Sequence, residues 1–457
     1  MNKTFAAVAI TSALLLAGCN GNTESTEVEN EIKVPSNVRD VSNINAGWAF
    51  KMAYENDDAL ASGFDDSEWE EVNLPHSVDA DRITNYDPTD PPFKGVSTYR
   101  KHLNFKHVND KRQYLEFDGA AMISQIFVNG KFAGEHVGGF SRFRVDITDF
   151  LIDGENAIAI QIDNRSYTPG VHDTAFLPME TGQDWIYYGG LYRDVKLLEV
   201  SSVSIDAEDY GSSGVYFLQK ETTDNTSEIY SNIRIRNKKD SDFSGHVRTV
   251  IKDAADKIIY SQLSPVNAES NTVMSVENEF TLSDIHLWDG IKDPYLYQVF
   301  VQVLDGEQNI IDQVEQPLGL RYFSFDADKG FLLNGEEYTL RGVAMHQDRD
   351  VVGWSTTKEM READLETIRE MGVNSVRFSL YPHNIDTAEY SNKIGFLNYI
   401  ELPIANSYLN ETDHGEAGAQ YLESAKEQMR ELVRQNFNYP SMGVVGNSNE
   451  VGLDPEP

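Results

Sequence analysis

The stretch NFNYPSMGVVGNSNE closes on an amide beside a carboxylate, Asn449 and Glu450, directly after the apolar run that starts at Met442. A carboxylate at the C-terminal end of a parallel strand can serve as a general acid or base, and an adjacent amide can hold a hydroxyl of the reacting molecule. Taken alone, the dipeptide reads equally well as a capping pair ahead of a helix. Arg377 in SVRFS, His346 after TLRGVAM and Glu401 in YIELP each close another apolar run of strand length, so all three could share a site with it. Cys19 is the single cysteine, which leaves neither a disulfide framework nor a thiolate metal cluster. Acidic residues number 74 against 38 basic ones, a formal charge of -36 that repels polyanions and disfavours nucleic acid as a partner.

These residues need a scaffold of several domains, because 457 residues exceed one ordinary core and suggest about three. Residues 41–200 alternate apolar and polar positions in short runs such as QIFVNGKFAGE and NAIAIQIDN, broken at Asn-Gly and Asp-Gly pairs. That pattern predicts antiparallel hairpins and a β-sandwich. Residues 201–320 carry a second set of strands, among them SNIRIRN and YLYQVFVQVLD, sized for a smaller immunoglobulin-like sandwich. From residue 321 to 457 strands alternate with helices. The helix expected over residues 417–437 repeats apolar residues at Leu422, Ala425, Met429, Leu432 and Val433, one buried face. Four strands separated by helices predict a parallel sheet equivalent to the first half of a (β/α)8 TIM barrel, in a segment far shorter than the roughly 250 residues of a whole one.

The N-terminus reads as an export signal: Lys3, an apolar run from Phe5 to Leu16, then Leu16-Ala17-Gly18-Cys19. Residues 1–18 resemble a bacterial lipoprotein signal peptide, whose removal would leave Cys19 lipid-modified, anchoring the protein to a membrane. An ordinary secretory peptide with an incidental cysteine is the alternative. Asn20, in place of aspartate, leans toward the outer membrane, and residues 19–40 are polar and aperiodic, as a flexible tether is.

SEWEEVNLPHSV from Ser67, STYRKHL from Ser97, FDGAAMISQIFVNGKFAGEHVGGFSRFRVDIT from Phe117 and WIYYGGLYRDVKL from Trp185 together resemble the sugar-binding, jelly-roll-like domain of glycoside hydrolase family 2. HLWDGIKDPYLYQV from His286 and LGLRYF from Leu318 resemble the stretches before that family's barrel, and FLLNGEEYTLRGVAMHQDRDVVGW from Phe331 is similar to its β-galactosidases. The resemblance covers nearly everything after the tether. It implies that Glu450 is the general acid/base, whose pKa must be raised to hold a proton near neutrality, and that Asn449 binds the sugar 2-hydroxyl. It further implies that Arg377 orients the nucleophilic carboxylate, that His346 contacts the sugar, and that Asp184 reaches into the site from the sandwich. A barrel-core ion pair, a satisfied structural histidine and a turn aspartate are the respective alternatives. Asp90 in TDPPF aligns only loosely with a sugar ligand and reads as a loop residue.

The departures from that pattern are specific. Leu380 stands where the family has histidine ahead of Tyr381 and Pro382, removing one expected contact for which His383 is an uncertain substitute; Val445 replaces a tryptophan, and YSNKIG from Tyr390 an acidic-rich turn. The magnesium or sodium of some relatives finds no matched ligands, ETDHG at Glu411 being shifted in spacing, and no cofactor is assigned. A retaining glycosidase needs a second carboxylate about 5 to 5.5 Å from the first. None in the barrel segment matches it, Glu401 aligning with a supporting position. The expectation is therefore a β-galactosidase-like hydrolase of terminal β-linked galactosides in an oligo- or polysaccharide, truncated within its barrel and inactive alone. The HQD and GW features after Met345 favour galactose over glucuronic acid or mannose, and the loss at Leu380 subtracts from that. The alternative is a lipid-anchored carbohydrate-binding or scaffold protein with a vestigial half-barrel.

Overall fold

Alternation along the first strands builds a two-layer sandwich. A computed structural model describes residues 32–80, 93–165, 188–405 and 415–451. One sheet has four antiparallel strands in the order Asp40–Asn43, Val195–Ser201, Lys111–Phe117, Phe143–Asp146. The other has six, in the order Glu70–Val72, Trp48–Lys51, Val96–Phe105, Gly154–Asp163, Ile123–Val128, Lys131–Val137. Trp48, Phe117, Ile126, Val128, Ile158 and Ile160 fill the space between them. The Asn-Gly hairpin forms as its sequence requires: Asn129 and Gly130 both take positive φ, 52° and 78°, the combination that matches the twist of the flanking strands.

A second sandwich follows. Thr226–Asn237 pairs along its whole length with Thr272–Ser283, and Phe243–Lys252 lies between Ile258–Ala268 and Tyr297–Leu304 in the facing sheet. Ile229, Ile233 and Ile235 meet Val247, Ile251, Val299 and Val301 across the interior.

The last region is a parallel sheet of four strands, β1 (Gly342–Met345), β2 (Ser375–Phe378), β3 (Leu397–Glu401) and β4 (Met442–Gly446), hydrogen-bonded in that order. Helices α1 (Lys358–Glu370), α2 (Ile385–Ile394) and α3 (Glu416–Asn436) connect them. Thr357 caps α1 by accepting the Met360 N–H at 3.3 Å. Gly395 ends α2 with φ 84°, and its backbone lies so close to Gly290 that no side chain fits there. Among the described residues neither β1 nor β4 pairs on its outer side, and Val444 and Val445, which point to opposite faces, are both exposed. Val445, which stands where the family has a tryptophan, is 37% exposed.

The single apolar face expected of α3 is only partly right. Tyr421, Ala425 and Leu432 are buried against the barrel sheet, whereas Leu422 is 49% exposed and the polar Gln428 and Glu431 are buried. Glu431 turns to the sandwich, where its Oε1 lies 2.8 Å from His136 Nε2. The helix serves two neighbours, so its buried surface is wider than its apolar stripe.

Candidate active site

Each strand of the parallel sheet delivers a polar side chain at its C-terminal end. The register pairs Arg377 with Tyr399, and Glu401 lies two residues further along β3, on the same face as Tyr399. The Arg377 guanidinium reaches it with Nε donating to Oε1 at 3.0 Å and Nη2 to Oε2 at 3.1 Å, a bidentate pair. Arg377 also lies over the Tyr399 ring at 5.4 Å. Glu401 is 0% exposed. Its burial raises its carboxyl above the ordinary glutamate value, against the opposing pull of Arg377 and of a hydrogen bond from Tyr399.

Arg377 does more than pair with Glu401. Its Nη2 also donates to Asn449 Oδ1 at 2.7 Å, while the Asn449 backbone N–H donates to Ile404 O at 2.8 Å. An arginine has only donors, so the amide oxygen must face it and the Asn449 NH2 points elsewhere, with two N–H groups to offer. Glu450 follows at φ 52°, a left-handed conformation that costs a non-glycine residue about 1 kcal/mol or more, and its side chain is exposed. A side chain on Gly446, at the end of β4, would collide with the Tyr399 hydroxyl, so this corner tolerates no larger residue.

At the end of β1, His346 and Asp348 are exposed while Gln347 between them is buried, as strand alternation dictates. His346 Nδ1 is 3.1 Å from the Tyr381 hydroxyl. Partial desolvation lowers its pKa, with Asp348 opposing, so the imidazole is mainly neutral at pH 7. Gln347 Oε1 accepts from Arg193 Nη2 at 2.8 Å. Arg193 comes from the first sandwich, is buried, and also donates to the carbonyls of Asp118, Phe140 and Pro382. Beside it, Phe140 stacks on Tyr381 at 4.6 Å and 5°, and Trp354 packs 5.1 to 5.4 Å from Phe140, Tyr188, Tyr192 and Tyr381. This aromatic cluster and Arg193 lock the sandwich against the strand ends.

Three family models match in sequence along the chain: glycosyl hydrolases family 2, sugar binding domain, over residues 41–201; glycosyl hydrolases family 2 over 214–321; and glycosyl hydrolases family 2, TIM barrel domain, over 327–454. The chain belongs to glycosyl hydrolase family 2. A β-glucuronidase of Bacteroides fragilis is 33% identical over 372 residues, 79% of this chain and 51% of that protein. A β-galactosidase of Thermoanaerobacter pseudethanolicus is 28% identical over 424 residues, 91% of this chain and 52% of its own. Among solved structures, a Bacteroides uniformis β-glucuronidase superposes with a TM-score of 0.82 at 28% identity, over 90% of this chain and 47% of that one. A putative β-galactosidase from Bacteroides fragilis gives 0.81 at 30%, over 91% and 59%. The chain spans about half the length of the curated relatives it matches.

Of the residues expected to form this family-2 site, the strand ends bring Arg377 and Asn449 into direct contact, with Glu450 next in the chain, and put His346 on the first strand end. Arg377 forms the barrel ion pair of its alternative reading, and it also reaches the Asn449 amide, a contact that neither reading named. Asp184, Asp90 and Cys19 lie outside the described residues. Trp354 of the GW feature is buried in the aromatic cluster, where it packs the sandwich against the strand ends. Leu380, in the family's histidine position, belongs to that cluster as well. His383 stacks on Phe378 and Tyr381, and burial lowers its pKa to about 3, so it is a neutral packing residue. Glu401, which the resemblance gave a supporting position, carries the arginine; Arg193, which bridges 154 positions to Gln347, escaped the sequence reading because no local pattern signals it. Among the described residues no three His, Cys, Asp or Glu side chains come together as metal ligands.

Proposed function

We propose that this chain carries the acid/base and 2-hydroxyl-binding part of a retaining β-glycosidase acting on terminal β-linked galactosides. The observation that carries the reading is the hydrogen-bonded Glu401–Arg377–Asn449 chain, which starts at a buried carboxylate and ends beside Glu450. Glu401 fixes Arg377, and Arg377 fixes the Asn449 amide with its NH2 free to donate to a sugar 2-hydroxyl. Such a contact strengthens as charge develops at the anomeric carbon. Glu450, exposed at the next position, protonates the glycosidic oxygen and then takes a proton from the attacking water. Glu401 has no exposed face for an anomeric carbon, so it is the support of Arg377 and not the nucleophile. The described strand-end residues thus hold one member of the carboxylate pair.

A neutral sugar suits the described surroundings, because Arg377 is committed to Glu401 and Asn449, and Arg349 to Asp364. A β-glucuronide is the second reading, favoured by the names of the more similar relatives. We further propose attachment to a membrane through a lipidated Cys19, with the enzyme facing the periplasm or the cell exterior; among the described residues no helix is long and apolar enough to cross a membrane.

The test is binding of methyl β-galactoside, its 2-deoxy analogue and methyl β-glucuronide to the 457-residue chain, read by saturation-transfer NMR. Asn449→Ala should weaken the galactoside roughly fivefold to tenfold and leave the 2-deoxy sugar unchanged. Equal weakening of both would refute the 2-hydroxyl role, and tighter glucuronide binding would move the substrate to the second reading. Aryl β-galactoside should be bound without appreciable release of product.

A further inference from the structure

A cavity of about 200 Å³ lies where both sandwiches meet the barrel helices, and its lining includes none of the strand-end residues described above. Arg39, Arg142 and Arg144 reach it from the first sandwich, and Glu389 of α2 and Tyr439 beyond α3 from the barrel region. Each arginine is anchored by only part of its guanidinium. Arg142 Nε donates to Asp118 Oδ1 at 2.7 Å, and neither of its terminal nitrogens has a partner among the described residues. Arg144 uses Nε for Glu116 at 2.7 Å and Nη1 for the carbonyls of Ala207 and Ser212, leaving Nη2. Arg39 uses Nε and Nη2 for Asp312 and the Ile205 carbonyl, leaving Nη1. Unlike the shut-off polar atoms of the interior, these four nitrogens keep accessible surface, and the space their side chains line is the cavity.

The charges around it do not balance. Arg142, Arg144 and Lys196 share two carboxylates, Glu116 and Asp118, while Asp312 neutralises Arg39. One positive charge is left over among side chains that are mostly buried, Arg144 being only 7% exposed. Burial lowers the Arg144 pKa, and although Glu116 opposes this, the neighbouring Arg142 and Arg39 lower it further. Guanidinium groups with free N–H pairs and surplus positive charge take oxyanions. The barrel side presents an acceptor instead: Glu389 Oε1 takes the Tyr439 hydroxyl at 3.1 Å, and its Oε2 is unpartnered and accessible. Glu315, the other carboxylate of the lining, is exposed to solvent. An oxyanion without a proton would set its lone pairs against Glu389. A protonated one accepts from the arginines and donates its hydroxyl to Glu389. Monohydrogen phosphate has that hydroxyl; sulfate has the same shape and charge and lacks it.

We infer that the cavity at the three-domain junction is a binding site for inorganic phosphate, selective against sulfate, that ties the sandwiches to the barrel helices. It is independent of the glycosidase reading and uses none of its residues.

Isothermal titration of the full 457-residue chain at pH 8 with sodium phosphate and with sodium sulfate, at matched ionic strength, tests it. The expected result is one phosphate per chain, bound roughly tenfold more tightly than sulfate. Arg142→Gln should weaken phosphate roughly tenfold. Glu389→Gln keeps an oxygen for Tyr439 and puts an NH2 where the phosphate hydroxyl donated, so it should bring the two anions to about equal affinity. Far-UV circular dichroism and the melting temperature show that each variant is folded, and the Glu389→Gln comparison decides the matter if Arg142→Gln does not fold. Absence of phosphate binding at millimolar concentration overturns the inference. So does equal affinity for the two anions in the unaltered chain, phosphate binding unchanged in a folded Arg142→Gln, or a phosphate preference that survives Glu389→Gln.

Discussion

Replacing Arg377 by methionine should destabilise the protein in a pH-dependent way that its contacts allow to be worked out. Glu401 is fully buried and its folded carboxyl already sits above its ordinary value near 4.5. The folded state therefore holds this proton more tightly than the unfolded chain, and stability falls as pH rises from about 4.5 through the folded pKa. Removing Arg377 removes the main opposing influence and raises that pKa further. At pH 5, the acidic end of the range, the loss should be about 1 kcal/mol, the worth of the hydrogen bonds. At pH 8 an uncompensated buried carboxylate should cost about 3 kcal/mol, the low end for a broken buried pair because Arg377 is itself 36% exposed. Urea unfolding followed by tryptophan fluorescence from pH 5 to 8 measures it, Trp288 and Trp354 both being packed against the barrel elements. The range stays above the pI of 4.5, where the chain has no net charge. A loss that is flat with pH, or below about 1 kcal/mol at pH 8, would refute the view that Arg377 sustains a buried charge.

Arg193→Met should cost about 3 kcal/mol in urea unfolding by stranding buried acceptors on both sides of the domain contact, and Arg193→Lys should recover little, since one ammonium cannot reach four divergent oxygens. Trp354→Ala should cost about 3 to 5 kcal/mol in the same measurement and make the sandwich–barrel contact more susceptible to limited proteolysis. Cys19→Ser should abolish incorporation of radiolabelled palmitate in cells and release the protein from the membrane fraction; labelling that persists would rule out the lipid anchor.

The partition into two sandwiches and an alternating β/α region was legible because each layer must bury one face, and that demand writes period two or period 3.6 into the chain. GVAM, SVRF, LNYIE and MGVVG could be found as strands in this way, and with them the residues at their C-terminal ends. The pairing of Arg377 with Glu401 was only half legible: both residues close strands, but the contact depends on the register of β2 and β3. The apolar stripe of α3 misled at Leu422, because periodicity reports one neighbour and this helix has two.

Sequence alone therefore determined which elements form and which polar side chains arrive at the strand ends, since both follow from local patterning of a few residues. Only the tertiary structure decided what those side chains touch. Trp354 went into a cluster drawn from the sandwich and the barrel, Gln347 to an arginine 154 positions away, and Glu431 to a histidine 295 positions away. Contacts of that range depend on how two finished surfaces fit together, and a local pattern of residue types carries no record of the surface it will meet.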